Sequence, residues 1–291
     1  MDKNNEKLLM WLFETNAVRV CPQDKPFFYT SGTIGPYYIN THFLYGSEEK
    51  ANNLLKFIDR EKENILSCPD KILNETLDNY NSDAIYKGLI DGMCDFIKYN
   101  INIDEVDYIS GGERRDWFFS LLIAKFLDKP HITIYKDMTT VITINGVTDE
   151  LDDLEDKKIL HVADLITEAS SYERAWIPAI KNKGGKMDWS VVVVDRKQGG
   201  EKLLNTFDVK SFSMIDIDVD LFKKVLSMGI INKEQFNMVE NYIKDPKGAM
   251  SKFLIEHPEF LRSALESDEK TKERAKFCME KDVYGLGLKQ Q

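Results

Sequence analysis

Apolar residues recur along this chain with two periods, and the period changes with position. Leu8, Leu9, Leu12 and Phe13 fall three and four apart, which puts them on one helical face over residues 5–16. Residues 47–66 and 83–100 share that period and are predicted as helices, joined by a polar connection from Cys68 to Ser82. Residues 25–40 differ. Aromatic residues flank Ser31-Gly32 and Gly35-Pro36, the pattern of a hairpin with a turn and a break. From about residue 104, short apolar runs alternate with helical patterns. The runs are Val106–Ile109, His131–Tyr135, 158–163, Ser190–Val194 and Met214–Ile217. The helices are Trp117–Leu127 and 172–182, the second ended by Gly184-Gly185. A hairpin pattern at Val141–Val147 leads into an acidic connector. Residues 219–285 are helical by spacing, as at Leu221, Phe222, Val225 and Leu226.

Near-continuous apolar strands alternating with helices predict an α/β fold whose mainly parallel sheet is covered on both faces. The expected organisation is three segments: N-terminal helices and hairpin over 1–103, an α/β core over 104–215, and a helical extension over 216–291. Ligands in such sheets bind at the carboxyl ends of strands. The loops at 111–115, 136–140, 164–171 and 195–200 all lie at such ends.

Composition narrows the chemistry. The chain has 291 residues and is 43% hydrophobic, enough for a sizeable core. A net charge of −10 argues against a general nucleic-acid surface. It leaves room for a local Arg or Lys cluster that holds a small anion. Cys21, Cys68, Cys94 and Cys278 are widely spaced, with no CxxC pair and no metal-site spacing. They read as free thiols in a reducing compartment. The polar start of the chain lacks the pattern of a signal peptide, and no apolar run approaches the ~20 residues that span a bilayer. The expectation is a soluble, cytoplasmic protein.

The most informative stretch is Ile159–Ser171. A buried strand ends at Asp164; Thr167, Ser170 and Ser171 follow in a turn; a helix begins at Tyr172. A strand that stops at a carboxylate and turns into a helix start is a phosphate cradle. Free backbone N–H groups and the positive helix end favour an anion, and the acid can hold sugar hydroxyls. An ordinary βα turn capped by Thr and Ser is the competing reading. His161, inside the strand, and His131 both read as core histidines.

This stretch resembles the ribose 5-phosphate-binding motif of the type I phosphoribosyltransferases: a hydrophobic strand, two acids, two residues, Thr, then small residues. Asp164 matches the second acid and Thr167 the Thr. Three further segments, in the same order, resemble the orotate phosphoribosyltransferases. Phe27–Tyr38 is similar to the hood segment over the orotate ring. Ser110-Gly111-Gly112-Glu113-Arg114-Arg115 is similar to the pyrophosphate loop, and Val194–Gly200 to an Asp-Arg segment whose Arg pairs with the orotate carboxylate. The resemblance implies transfer of a phosphoribosyl group from phosphoribosyl pyrophosphate to orotate by a homodimer. It makes Asp164 and Arg115 the catalytic candidates. The substrate-binding candidates are Thr167, Glu168, Ala169, Ser170, Ser171, Arg196, Arg114, Lys136, Tyr37 and Tyr38. Mg²⁺ is implied through the pyrophosphate, with Asp164 as a protein contact open to it.

The sequence also departs from that family. Ala163 replaces the first motif acid, and Glu168 and Ala169 occupy the small positions. The 136–148 region lacks the Lys and His of the family's mobile loop, and Thr30 and Thr33 stand where the hood segment carries basic residues. These losses keep open a non-catalytic binder of nucleotide or phosphoribosyl pyrophosphate, and a transferase for another base.

Overall fold

The computed structural model describes residues 3–287. In chain order the elements are α1 (Lys3–Glu14), β1 (Val18–Val20), β2 (Phe27–Phe28), β3 (Ile34–Gly35), β4 (Tyr37–Ile39), α2 (Glu48–Glu61), α3 (Cys68–Ser82) and α4 (Ala84–Asn100). Then come β5 (Tyr108–Gly112), α5 (Trp117–Phe126), β6 (His131–Ile134), β7 (Thr140–Ile144), β8 (Val147–Glu150) and β9 (Lys158–Ile166). A π turn (Tyr172–Trp176) leads into α6 (Ile177–Lys181), followed by β10 (Lys186–Asp195), α7 (Gly200–Asn205) and β11 (Lys210–Asp216). The last five helices are α8 (Val219–Ser227), α9 (Lys233–Lys244), α10 (Pro246–Glu256), α11 (Glu259–Leu265) and α12 (Glu269–Lys281).

These elements form two compact units that interleave along the sequence: Met1–Ala17 with Asn40–Ile217, and Val18–Ile39 with Asp218–Gln291. The three expected segments therefore group differently in space. The N-terminal helices belong with the α/β core, and the 18–39 hairpin segment belongs with the C-terminal helices.

The first unit holds a seven-stranded sheet in the order β11-β10-β9-β5-β6-β7-β8. From β11 to β6 the strands are parallel, and β7 and β8 add an antiparallel hairpin. Asn145 and Gly146, both at positive φ, form the tip of that hairpin, as a primed two-residue turn requires. Val191–Val194 in β10 are wholly buried because both faces are covered. One face packs Ile159, Ala163 and Val192 with Tyr172, Trp176 and Ile180. Helix α5 packs against β5, β9 and β6. Its residues Trp117–Ala124 are buried all round, so its apolar run shows no polar face.

Two local expectations are corrected. The polar connection at Cys68–Ser82 is helix α3. Its buried residues are Cys68, Pro69, Ile72, Thr76 and Asn79, of which Thr76 and Asn79 are polar. Thr76 Oγ donates to the Ile72 carbonyl (2.9 Å) and Asn79 Nδ2 to the Tyr45 carbonyl (2.7 Å), so buried polar groups are satisfied where apolar ones were sought. Residues 172–182 begin as a π turn rather than a regular helix. Pro178 has no N–H to return to the Arg174 carbonyl, which interrupts the ladder there.

In the second unit β2 pairs with β3 and β1 with β4, both antiparallel. Side chains tie these short strands to the helices. Tyr284 Oη accepts the Ile34 N–H (2.8 Å), Arg274 donates to the Phe28 carbonyl (2.7 Å), and Phe28 stacks on Phe260 at 5.2 Å.

Candidate functional site

Strand β5 lies between β6 and β9, so successive connections leave it in opposite directions. At such a switch point the following loops part and open a crevice at the carboxyl ends of the strands. Pairing of β5 with β9 ends at Ser110↔His161. Beyond it the two loops surround a cleft of about 360 Å³, lined by Glu113–Asp116, Ala163–Tyr172 and Trp176. Gly112 allows this approach, because a Cβ there would collide with the Trp176 ring. The Glu113–Arg114 peptide bond in this loop is cis.

The cleft floor is acidic. Asp164 is 7% exposed, and its Oδ2 is buried with no protein partner. Burial pushes its carboxyl pKa up to about 7; neighbouring Asp116 pushes the same way and Arg115 opposes. The Asp116 carboxylate accepts the N–H groups of Gly112 (3.0 Å) and Asp164 (3.2 Å) and lies 3.4 Å from His161 Nε2. His161 Nδ1 is 2.9 Å from Ser110 Oγ, and its ring packs on Tyr172 and Trp176. His161 is thus a core residue that reaches up to the floor.

One wall is the Thr167–Ser171 turn. Ala169 takes a left-handed φ of 56°, a conformation that costs an alanine about 1 kcal/mol or more. The Glu173 N–H is taken by the Ala169 carbonyl (3.1 Å); the N–H groups of the residues just before it open the helix, where the ladder supplies no acceptor. Gly200 N–H donates to the Thr167 carbonyl (2.9 Å), which ties the turn to α7. Glu168 is exposed and lines the same cleft. The opposite wall is Glu113–Asp116. Arg115 is exposed and forms no ion pair among the described residues, whereas Arg114 pairs with Asp59. Glu113 binds Lys62 Nζ (2.9 Å) and accepts the Lys136 N–H (2.9 Å). His42 is 2% exposed; burial, helped by Arg115 and Arg114, pushes its pKa down to about 3.

The cleft therefore gathers Asp164, Thr167, Glu168, Ala169, Ser170, Ser171, Arg114 and Arg115. Lys136 lines an adjoining cleft of about 640 Å³ together with Asp59, Lys62 and Arg174. Arg196 follows β10; its N–H donates to the Ile166 carbonyl (3.0 Å), and its Nε is buried without a partner. Tyr37 and Tyr38 belong to the second unit. Tyr37 is a core aromatic there, packed against Phe222 (5.3 Å) and Tyr242 (5.7 Å). Asp116 and Trp176 were not legible as site residues. An Asp just before an apolar helix has the look of an N-cap, a bond that Asp116 does not make.

A recessed carboxyl, an anion-favouring turn and an unpaired guanidinium suit a ligand with a phosphate and vicinal hydroxyls. Among the described residues no group of three or more His, Cys, Asp or Glu could hold a metal ion. The free Asp164 oxygen fits a divalent ion already held by a polyphosphate, not a resident one. No helix among the described residues is long and apolar enough to cross a membrane.

No family model matches the chain. Over 91 residues it is 32% identical to an orotate phosphoribosyltransferase of Sulfurisphaera tokodaii, covering 31% of this chain and 46% of that protein. The chain thus spans about half the length of that relative. Over 165 residues it is 22% identical to the orotate phosphoribosyltransferase of Sulfolobus acidocaldarius, covering 56% of this chain and 78% of that one. Its structure is similar to the UMP synthase of Leishmania donovani, with a TM-score of 0.53, 15% identity, and coverage of 84% of this chain and 42% of that one. It is also similar to the orotate phosphoribosyltransferase of Francisella tularensis, with a TM-score of 0.50, 13% identity, and coverage of 80% and 96%. The chain thus has the fold of the type I phosphoribosyltransferases, and part of its sequence is similar to orotate phosphoribosyltransferases.

Proposed function

We propose that this protein transfers the 5-phosphoribosyl group from phosphoribosyl pyrophosphate to orotate and releases pyrophosphate. The observation that carries this reading is the buried, unpartnered Asp164 oxygen in one cleft with the Thr167–Ser171 turn and Arg115. In this reading the turn binds the 5-phosphate and Asp164 holds the ribose hydroxyls. Arg115 stabilises charge on the leaving pyrophosphate. Arg196 and Thr167 hold the base, the guanidinium donating two parallel bonds to the orotate carboxylate. Mg²⁺ bound to the pyrophosphate would neutralise part of its charge, and Asp164 would supply a protein oxygen to hold it. A cytoplasmic homodimer is part of the same proposal.

The test is incubation with phosphoribosyl pyrophosphate, Mg²⁺ and orotate while orotate absorbance and pyrophosphate release are followed together. Stoichiometric loss of orotate with pyrophosphate release is expected. Arg196→Ala should then raise the KM for orotate about tenfold or more, the usual scale for a lost charge-assisted pair. Unchanged kinetics in that variant would remove Arg196 from the base site.

A second reading, a nucleotide or phosphoribosyl pyrophosphate binder without turnover, draws on a specific observation. Arg114 is engaged by Asp59 and Lys62 by Glu113, and the exposed Glu168 adds negative charge to the cradle. Tight nucleotide binding with no pyrophosphate release would favour it.

A further inference from the structure

Strand β9 carries Ala163 where the phosphoribosyltransferase motif has its first acid, and Ala163 is 2% exposed and packed in the core. A carboxylate nevertheless stands beside Asp164. It comes from the other loop. Asp116, on the β5 side of the cleft, is 7% exposed and lines it.

Its bonds fall where the sheet ends. The β5–β9 ladder closes at Ser110↔His161, so the N–H groups of Gly112 and Asp164 have no partner across the strands. The Asp116 carboxylate takes both, at 3.0 and 3.2 Å, and bridges the two strand ends at the point where they part. His161 Nε2 sits 3.4 Å below, and the far ring nitrogen of His161 is held by Ser110. Each Asp116 oxygen is therefore engaged by a backbone N–H of its own protein, while Asp164 Oδ2, at the cleft floor, is buried without a partner.

We propose that Asp116 is a positioning residue of this site: it replaces the missing motif acid from a different loop, and by clamping the Asp164 backbone it aims the free Asp164 oxygen at the sugar hydroxyls of a phosphorylated pentose. This inference rests on the phosphoribosyl-binding reading above. It assigns Asp116 no contact with the ligand.

The test is calorimetric binding of two probes, ribose 5-phosphate and glycerol 3-phosphate, to the full chain and its variants. Wild type should bind ribose 5-phosphate more tightly. Asp116→Asn keeps the size but loses the charge and one of the two acceptors. It should weaken ribose 5-phosphate about tenfold or more, the scale of one charge-assisted bond. Glycerol 3-phosphate, held by the turn, should change less than threefold. Asp164→Asn should show the same selectivity, and the double variant should be no weaker than the worse single one, as for residues acting through one oxygen. If Asp116→Asn does not fold, Asp116→Ser, which leaves room for a water between the two N–H groups, takes its place. Equal loss for both probes, or no loss for either, overturns the proposal while the binding reading stands. Failure of wild type to bind ribose 5-phosphate at all overturns both.

Discussion

Asp164 is the residue whose environment departs furthest from what its neighbours in sequence suggest. Between Ala163 and Leu165 it is a polar residue near a strand end; in space it is enclosed, beside a second acid and near Arg115. Burial, reinforced by Asp116, raises its pKa to about 7. The consequence for stability has a definite sign. A carboxyl that holds its proton more tightly when folded stabilises the fold fully below the unfolded pKa near 4. It loses that stabilisation as pH rises through about 7. At about 1.4 kcal/mol per pH unit of separation, the loss amounts to a few kcal/mol. Asp164→Asn should therefore unfold at a higher urea concentration than wild type at pH 8, and the two should converge near pH 4. A gap that does not depend on pH would show that Asp164 is not perturbed. The sequence marked this residue, because an acid closing an apolar strand is visible as pattern. It did not mark Asp116, whose role depends on a strand 48 residues away.

At the scale of elements, patterning succeeded where burial is wholly apolar and failed where it is mixed. Val191–Val194 announce a buried strand, and Trp117–Ala124 a buried helix. Helix α3 hides because Thr76 and Asn79 occupy its inner stripe and bond to backbone carbonyls. The C-terminal helices are legible from apolar spacing, and the structure adds their caps. Helix α9 starts with a full capping box, Asn232 accepting the Gln235 N–H (2.8 Å) while Gln235 Oε1 accepts the Asn232 N–H (3.0 Å). Gln235 Nε2 also donates to the Cys21 carbonyl (3.0 Å), so this cap anchors the segment that leads into the 27–35 hairpin. Asn232→Ala should cost about 1 kcal/mol, read as a lower denaturation midpoint with unchanged slope. A neutral result would mean that α9 is held by its apolar face alone.

Over the whole molecule, buried titratable groups limit stability on the acid side as Asp164 limits it on the basic side. Burial pushes the pKa of His131 down to about 3 and, with Arg115 and Arg114 nearby, that of His42 to about 3. A folded-state pKa below the unfolded value near 6.5 contributes stability that is present above 6.5 and is lost as pH falls toward 3. Thermal midpoints should accordingly fall between pH 6.5 and 4, and the His42→Gln, His131→Gln double variant should lose less over that range than wild type. Equal losses would locate the acid sensitivity elsewhere. The four thiols are divided between the two units, Cys68 and Cys94 in the first and Cys21 and Cys278 in the second. All are buried, and burial raises their pKa values to about 11 or 12, as expected of inert core thiols.

What the sequence determined by itself is everything that local periodicity and a contiguous motif can carry. That covers the α/β class, most strands of the sheet, the hairpin at 27–35, and the strand–acid–turn that marks the cleft. Tertiary structure alone decided the rest. It joined Val18–Ile39 to residues 218 onward, stopped the β5–β9 ladder at Ser110, and brought Asp116 against Asp164. Such outcomes depend on which distant groups meet once strands are ordered in a sheet. A backbone N–H left without a partner at a strand end must find an acceptor wherever the fold supplies one, and no local pattern names it.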